Sequence, residues 1–216
     1  MKQQHSEPNA DAGGLFADTV VIPVIRIDSA DQAVALARTL VHAGLKLLEI
    51  TLRTPAALDA IARIATEVPE AVVGAGTVLS PHDLERAVRA GARFAISPGC
   101  TERLYRASAG APLPLIPGVS TVSEILLGME HGHHHFKFFP AEVAGGPNML
   151  RSWAGPLPQV SFIPTGGISP EKAAAYLALS NVIAVGGSWM VPDSAVATSD
   201  WDTIARLAGA AANLGE

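Results

Sequence analysis

Residues 20–27 read VVIPVIRI, a strand-length apolar run with one charge and almost no polar alternation. A strand covered on one face alternates apolar and polar residues, whereas a strand covered on both faces has no need to. The run therefore predicts a strand of a parallel sheet packed between layers. Seven more runs of this kind follow, at Lys46–Leu52, Ala71–Ala75, Phe94–Ser97, Leu113–Pro117, His135–Phe139, Val160–Pro164 and Val182–Val185. Their starts lie 26, 25, 23, 19, 22, 25 and 22 residues apart, room for a strand, a helix and two short joins each time. Alanine-rich segments with helical periodicity fill the intervals, among them Ala30–Ala43, Ala56–Glu67, Pro81–Ala90 and Glu171–Leu179. Strand-sized runs alternating with helix-sized segments mark βαβ units. Eight such units in 216 residues predict a (β/α)8 TIM barrel as a single domain over residues 19–216, after a short polar N-terminal extension, residues 1–18. An open doubly wound sheet is the structural alternative.

Several joins carry their own signals. Ser80-Pro81 and Ser169-Pro170 each place a hydroxyl cap before a proline in the first helical turn. Gly44 and Gly91 stand where a helix ends in a left-handed residue. Pro98-Gly99 and Pro117-Gly118 read as backbone-shaping turns at the ends of the fourth and fifth strands.

Bulk composition narrows the function. An apolar fraction of 49% and a charged fraction of 16% describe a compact globular chain. A formal net charge of -5 gives no electrostatic reason for binding nucleic acid or an anionic membrane surface. No apolar run reaches the roughly 20 residues of a membrane-spanning helix, and residues 1–18 do not resemble a secretory signal. The lone Cys100 excludes an intrachain disulfide and fits a reducing, cytoplasmic setting.

Function concentrates at the C-terminal ends of barrel strands, so polar residues there are the informative ones. In Leu47-Leu48-Glu49-Ile50-Thr51-Leu52-Arg53 a period of two puts Glu49, Thr51 and Arg53 on one face. A carboxylate inside such a run is costly unless paired or used in chemistry. The plain structural reading is an ion pair between Glu49 and Arg53. The sixth run, His135-Phe136-Lys137-Phe138-Phe139-Pro140, holds one of only four lysines among three phenylalanines. Desolvation favours the neutral amine, the form that attacks a carbonyl carbon. The bland alternative is an edge lysine whose stem lies on apolar surface while its head reaches water. Inward side chains of such a barrel stack in layers drawn from alternate strands. Glu49 on the second strand and Lys137 on the sixth can therefore share a layer, one as base and one as nucleophile.

Anion-binding signals sit on the same rim. Thr165-Gly166-Gly167-Ile168-Ser169-Pro170 follows the seventh strand and Gly186-Gly187-Ser188 the eighth, the two positions where this fold commonly binds phosphate. Gly74-Ala75-Gly76-Thr77 ends the third strand, where Thr77 and the fork of Arg53 suit a substrate carboxylate.

Taken together, EITLRTP (49–55), VGAGTVL (73–79), FAISPG (94–99), LIPGVST (115–121), FKFFPAE (136–142), PTGGIS (164–169) and GGSWMVP (186–192) resemble the class I 2-keto-3-deoxy-6-phosphogluconate (KDPG) aldolases, also active as 4-hydroxy-2-oxoglutarate (KHG) aldolases. The resemblance runs from about Val20 onward. It implies Lys137 as the Schiff-base lysine, Glu49 as the general acid and base, and Arg53 with Thr77 as ligands of the pyruvate-derived carboxylate. It also implies phosphate binding at Gly166, Gly167 and Ser188, with Gly187 adjacent. No cofactor, no metal, a small 2-keto acid phosphate as substrate and a homotrimeric assembly follow from the same resemblance.

The run His131, His133, His134, His135 invites a metal reading. It lies before the sixth strand, at the end away from the active rim, and is expected to be a solvated loop. Two other readings keep the fold. A phosphate-binding isomerase or synthase would share the glycine loops without needing a lysine–glutamate pair, and a sugar-phosphate sensor would have no use for a buried amine. A related aldolase for the galactonate-derived epimer differs from the first reading at one stereocentre only.

Overall fold

The computed structural model describes residues 12–16 and 19–214. Nine strands lie among them: β1 Val21–Ile25, β2 Leu47–Thr51, β3 Val72–Gly76, β4 Ala95–Ile96, β5 Leu115–Ile116, β6 Gly118–Val119, β7 His135–Phe138, β8 Ser161–Pro164 and β9 Val185–Gly187. They form a six-stranded sheet in the order β5-β4-β3-β2-β1-β9 and a three-stranded sheet in the order β6-β7-β8, and every pairing is parallel. The result is an α/β fold whose parallel sheet curls on itself, helices covering its outer side.

The expected fifth strand is split. Pro117 separates β5 from β6, so Pro117-Gly118 is an interruption inside a strand rather than a turn at its end. Proline has no N–H to give to a ladder. Its carbonyl still accepts from the amide of Lys137 at 2.9 Å, and the neighbouring carbonyl of Ile116 accepts from Ser97 at 3.1 Å. One run thus hands its pairing from β4 on one side to β7 on the other. The eighth run is displaced as well: β9 begins at Val185, and Val182 makes only an isolated bridge to Phe162. A second bridge joins Thr165 to Gly186.

Side-chain alternation sorts the core into two clusters. Ile25, Leu48, Ile50, Phe136, Phe138 and Phe162 pack between the sheet and the helices. Ile22, Leu47, Phe94, Ile96, Ile116, Ile163 and Ala184 pack inside the curl, together with Phe16. With a period of two, Glu49 shares the inner parity of Leu47, and Lys137, flanked by outward Phe136 and Phe138, is forced inward.

The helix Ala12–Phe16 falls within the stretch expected to be an extension. Phe16 is fully buried and meets Phe94 edge-on, ring centroids 5.8 Å apart. Burial of a side chain this size is worth about 1.5–3 kcal/mol, so this helix is anchored by packing rather than by its own short length.

Several helix ends follow the local code, and one expected cap does not form. The Ser80 hydroxyl accepts from Asp83 N at 3.1 Å ahead of helix Pro81–Arg89, and Thr121 with Glu124 closes a reciprocal capping box on helix Val122–Glu130. Gly44 and Gly91 adopt φ of 98° and 87° just past their helices. Ser169, expected to cap in the same way, makes no cap bond; its hydroxyl donates instead to Glu171 Oε2 at 2.6 Å. No helix among the described residues is long and apolar enough to cross a membrane.

Candidate active site

Two charged side chains meet inside the curl. Lys137 Nζ donates to Glu49 Oε1 at 3.1 Å, with the two side chains 6% and 2% exposed. The residues are 88 positions apart and arrive from β7 and β2 because both strands turn their inner parity to the same space. Gly76, the register partner of Thr51 on β3, makes the arrangement possible: a Cβ there would overlap the Glu49 carboxylate. Of the phenylalanines around Lys137 only Phe139 approaches the amine, its ring centre 5.3 Å from Nζ, while Phe136 and Phe138 pack outward.

Holding two charges out of water costs several kcal/mol per ion, which their attraction offsets only with close geometry. Such a pair is weak support for stability and a common sign of a working site.

Arg53 does not pair with Glu49, so the plain ion-pair reading is overturned. Its Nε donates to Thr51 Oγ1 at 3.0 Å, and the buried Thr51 hydroxyl in turn donates to the carbonyl of Ile25 at 2.8 Å. With Nε engaged, the two terminal nitrogens are left for a ligand, the geometry that suits a carboxylate. Thr77 lies across the same rim, since Leu52 N donates to Gly76 O at 2.8 Å and ties the ends of β2 and β3 together. Its φ of 59° is left-handed, uncommon for a β-branched residue and costly by about 1–3 kcal/mol. Strain of this kind persists only where the surrounding structure holds it in place.

The glycine loops lie side by side. Thr165 follows β8, its bridge to Gly186 joins the two loops, and Gly166 and Gly167 adopt φ of 106° and 77°. Gly187 closes β9 and Ser188 is exposed just beyond it. Gly186 must lack a side chain because Thr165 Oγ1 occupies the space a Cβ would need. Helix Pro170–Leu177 begins immediately after the first loop, and its N-cap Ser169 makes no side-chain cap bond.

The histidine run is not a solvated loop. His134 is exposed, but His133 is only 2% exposed, with Nε2 at 3.5 Å from the buried Ser108 hydroxyl. Burial pushes its pKa down to about 4. His131 stacks on Tyr105 with centroids 4.8 Å apart and places Nε2 at 2.9 Å from Glu102 Oε2. His135 Nδ1 lies 2.6 Å from Ser161 Oγ across the β7–β8 pair. Within the run only His133 is buried, His131 and His135 are half-buried, and His134 is exposed. Among the described residues no three His, Cys, Asp or Glu side chains group as a metal site would require.

The structure thus brings Lys137 and Glu49 into contact, sets Arg53 and Thr77 on adjoining strand ends, and sets Gly166, Gly167, Gly187 and Ser188 on the neighbouring pair of loops. Sequence reasoning missed Gly76 and Thr51 as parts of the site. The signal for Thr51 was present, since it shares the face of Glu49 and Arg53; the need for Gly76 depends on a neighbour 27 residues away.

The chain is similar to known proteins in sequence and in fold. The family model described as KDPG and KHG aldolase matches residues 15–207. A KHG/KDPG aldolase of Escherichia coli (strain K12) is 55% identical over 188 residues, 87% of this chain and 88% of that one. The fold is similar to the KDPG aldolase of Legionella pneumophila with pyruvate captured at low pH as a covalent carbinolamine intermediate: TM-score 0.90, 47% identity, 92% and 96% of the two chains covered. It is likewise similar to the 2-keto-3-deoxy-6-phosphogluconate aldolase of Zymomonas mobilis ZM4 with 3-phosphoglycerate: TM-score 0.91, 43% identity, 95% and 97% covered.

Proposed function

The chain belongs to the KDPG and KHG aldolase family, and from that premise we propose that it is a class I aldolase cleaving 2-dehydro-3-deoxy-6-phosphogluconate to pyruvate and glyceraldehyde 3-phosphate. The observation that carries the reading is the buried amine of Lys137 at 3.1 Å from the buried carboxylate of Glu49. Cleavage of 4-hydroxy-2-oxoglutarate to pyruvate and glyoxylate belongs to the same proposal, supported by the name of the Escherichia coli relative.

The proton of the Lys137 ammonium passes to Glu49, which is within hydrogen-bond reach, and the neutral amine attacks the C2 carbonyl. Glu49 returns that proton to the carbinolamine hydroxyl, which departs as water and leaves a protonated imine with Glu49 ionised again. Glu49 takes the C4 hydroxyl proton, the C3–C4 bond breaks, and its electron pair flows into the imine to form an enamine. The aldehyde leaves with its new carbonyl at the former C4. Protonation of the enamine at C3 and hydrolysis of the imine then release pyruvate and restore Lys137. Arg53 and Thr77 hold the C1 carboxylate, while Gly166, Gly167, Gly187 and Ser188 receive the phosphate. The neighbour solved with a covalent pyruvate adduct and the one solved with a phosphorylated three-carbon acid support those two ends of the substrate. The protonated imine is itself the electron sink, so the sequence of steps draws on side chains and calls for no cofactor or metal.

The same reading takes residues 19–216 as a (β/α)8 barrel in which β5 and β6 count as one strand and the bridges Phe162–Val182 and Thr165–Gly186 join β8 to β9. Residues 1–18 are its extension. It takes the assembly as a homotrimer, for which the exposed apolar side chains of Leu79, Val122, Leu126 and Val143 offer surface that association would cover. It takes the cytoplasm as the place of action.

Incubation with pyruvate, reduction with borohydride and mass-spectrometric mapping test the proposal. A stable adduct is expected on Lys137. No adduct, or one on Lys2, Lys46 or Lys172, would overturn it.

A further inference from the structure

Glu142 lies on the segment leaving β7, a short way beyond Lys137, and nothing in the aldol chemistry uses it. Its carboxylate is nonetheless fully engaged. Oε1 accepts from the Tyr176 hydroxyl at 2.6 Å and Oε2 from Lys172 Nζ at 2.6 Å, both donors standing on helix Pro170–Leu177. Its backbone amide donates to the carbonyl of Gly166 at 3.2 Å, and the amide of Ala141 donates to that of Thr165 at 2.8 Å. At Gly167 a Cβ would come within 3.0 Å of Glu142 Cβ and Cγ, so the loop is pressed against this side chain. The bonds from Lys172 and Tyr176 hold the carboxyl below the usual carboxylate range, which keeps the acceptor ionised.

These contacts grip the Thr165–Ser169 loop from both ends: the backbone bonds at its start, the two side-chain bonds just after its finish. A carboxylate beside a phosphate site repels the phosphate unless it is neutralised and turned to another use. Here Lys172 neutralises it, and its lone pairs face the helix.

We infer that Glu142 is a positioning residue for the phosphate end of the substrate, locking the Gly166–Gly167 backbone to the strand that carries Lys137. The inference rests on the aldolase reading above. By fixing the loop relative to β7, Glu142 sets the span between the imine carbon and the phosphate. A phosphorylated substrate then arrives with C2 at the amine, whereas a substrate without phosphate gains nothing from the lock.

Steady-state kinetics of Glu142→Ala, Glu142→Gln and Tyr176→Phe on KDPG and on unphosphorylated 4-hydroxy-2-oxoglutarate test it, with thermal melts as a check on folding. For Glu142→Ala, KM for the phosphorylated substrate is expected to rise about tenfold or more with kcat changing by less than about threefold. kcat/KM for the unphosphorylated substrate is expected to fall by less than about threefold. Glu142→Gln, which keeps an acceptor for Tyr176, is expected to lie between Ala and wild type. An equal loss on both substrates would make Glu142 a merely structural residue and overturn the inference, as would no change on either. Borohydride trapping of pyruvate by the wild-type protein separates the two levels: wild type that traps at Lys137 while the variants lose no phosphate preference sinks only the role of Glu142. Wild type that traps nothing sinks the aldolase reading itself.

Discussion

Replacing Lys137 by methionine keeps most of the side-chain volume and removes one charge from a pair that water scarcely reaches. At 3.1 Å and an effective dielectric constant of about 20, two unit charges attract by about 5 kcal/mol. Glu49 has no other side-chain partner among the described residues to make up that loss. Lys137→Met is therefore expected to cost about 3–5 kcal/mol, the range for stranding one member of a buried pair, and Glu49→Leu a comparable amount. The double variant strands no charge and leaves an apolar interior. It is expected to unfold closer to wild type than either single variant, with a coupling of at least about 3 kcal/mol. Urea unfolding at pH 7.5 and one fixed protein concentration measures all four corners of the cycle, the m value checking that each unfolds as the same unit. Losses that add, with a coupling below about 0.5 kcal/mol, would mean that water already screens the pair, and the argument from burial to chemistry would fail. The cycle also measures what the site costs the fold: the double variant, inactive by design, is the test of whether stability has been given up for a reactive amine.

Three further outcomes follow from particular contacts. Because burial lowers the pKa of His133 to about 4 in the folded chain, the unfolded chain takes up its proton first as pH falls, so this contribution to stability is lost between about pH 6.5 and pH 4. From pH 7.5 to 5.0 the loss works out at about 2 kcal/mol; urea midpoints of His133→Leu should show a correspondingly flatter pH dependence than wild type, and an unchanged slope would refute the assignment. Gly76→Ala forces the Glu49 carboxylate aside; kcat/KM in an assay of pyruvate release is expected to drop about a hundredfold, and an active alanine variant would show that Glu49 is not held from this side. Phe16→Ala removes a fully buried ring from the inner cluster; a loss of about 3–5 kcal/mol in unfolding free energy is expected with kcat little changed, and a loss under about 1 kcal/mol would mean that the helix Ala12–Phe16 is only loosely seated.

The inner and outer faces of the sheet were legible because strand parity is local. Leu47 and Leu48 go to different clusters for the same reason that Glu49 and Lys137 turn inward, and a period of two records that in the chain itself. The break at Pro117 was visible as a residue without an N–H but was read as a turn, since only the partners on either side, β4 and β7, reveal that one run serves two ladders. The histidine run was misread for a related reason: polarity argued for solvent, while the strand pairing of His135 and the packing of His133 against Ser108 depend on segments 25 and 26 residues away. Phe16 lay in a stretch whose composition is polar, and one aromatic residue carries too little periodicity to announce its burial.

Residue type and order by themselves determined the repeating strand–helix plan, the strand faces and the resemblance that names Lys137, Glu49, Arg53, Thr77 and the glycine loops, because all of these rest on short-range pattern. Tertiary structure alone decided that Lys137 meets Glu49 at 3.1 Å, that Arg53 leans on Thr51 rather than on Glu49, and that Glu142 binds Lys172 and Tyr176 beside the Thr165–Ser169 loop. Apart from the Arg53–Thr51 bond, these are contacts between strands and helices far apart in the chain, and their distances follow from how the sheet curls, a property that no local stretch of residues contains.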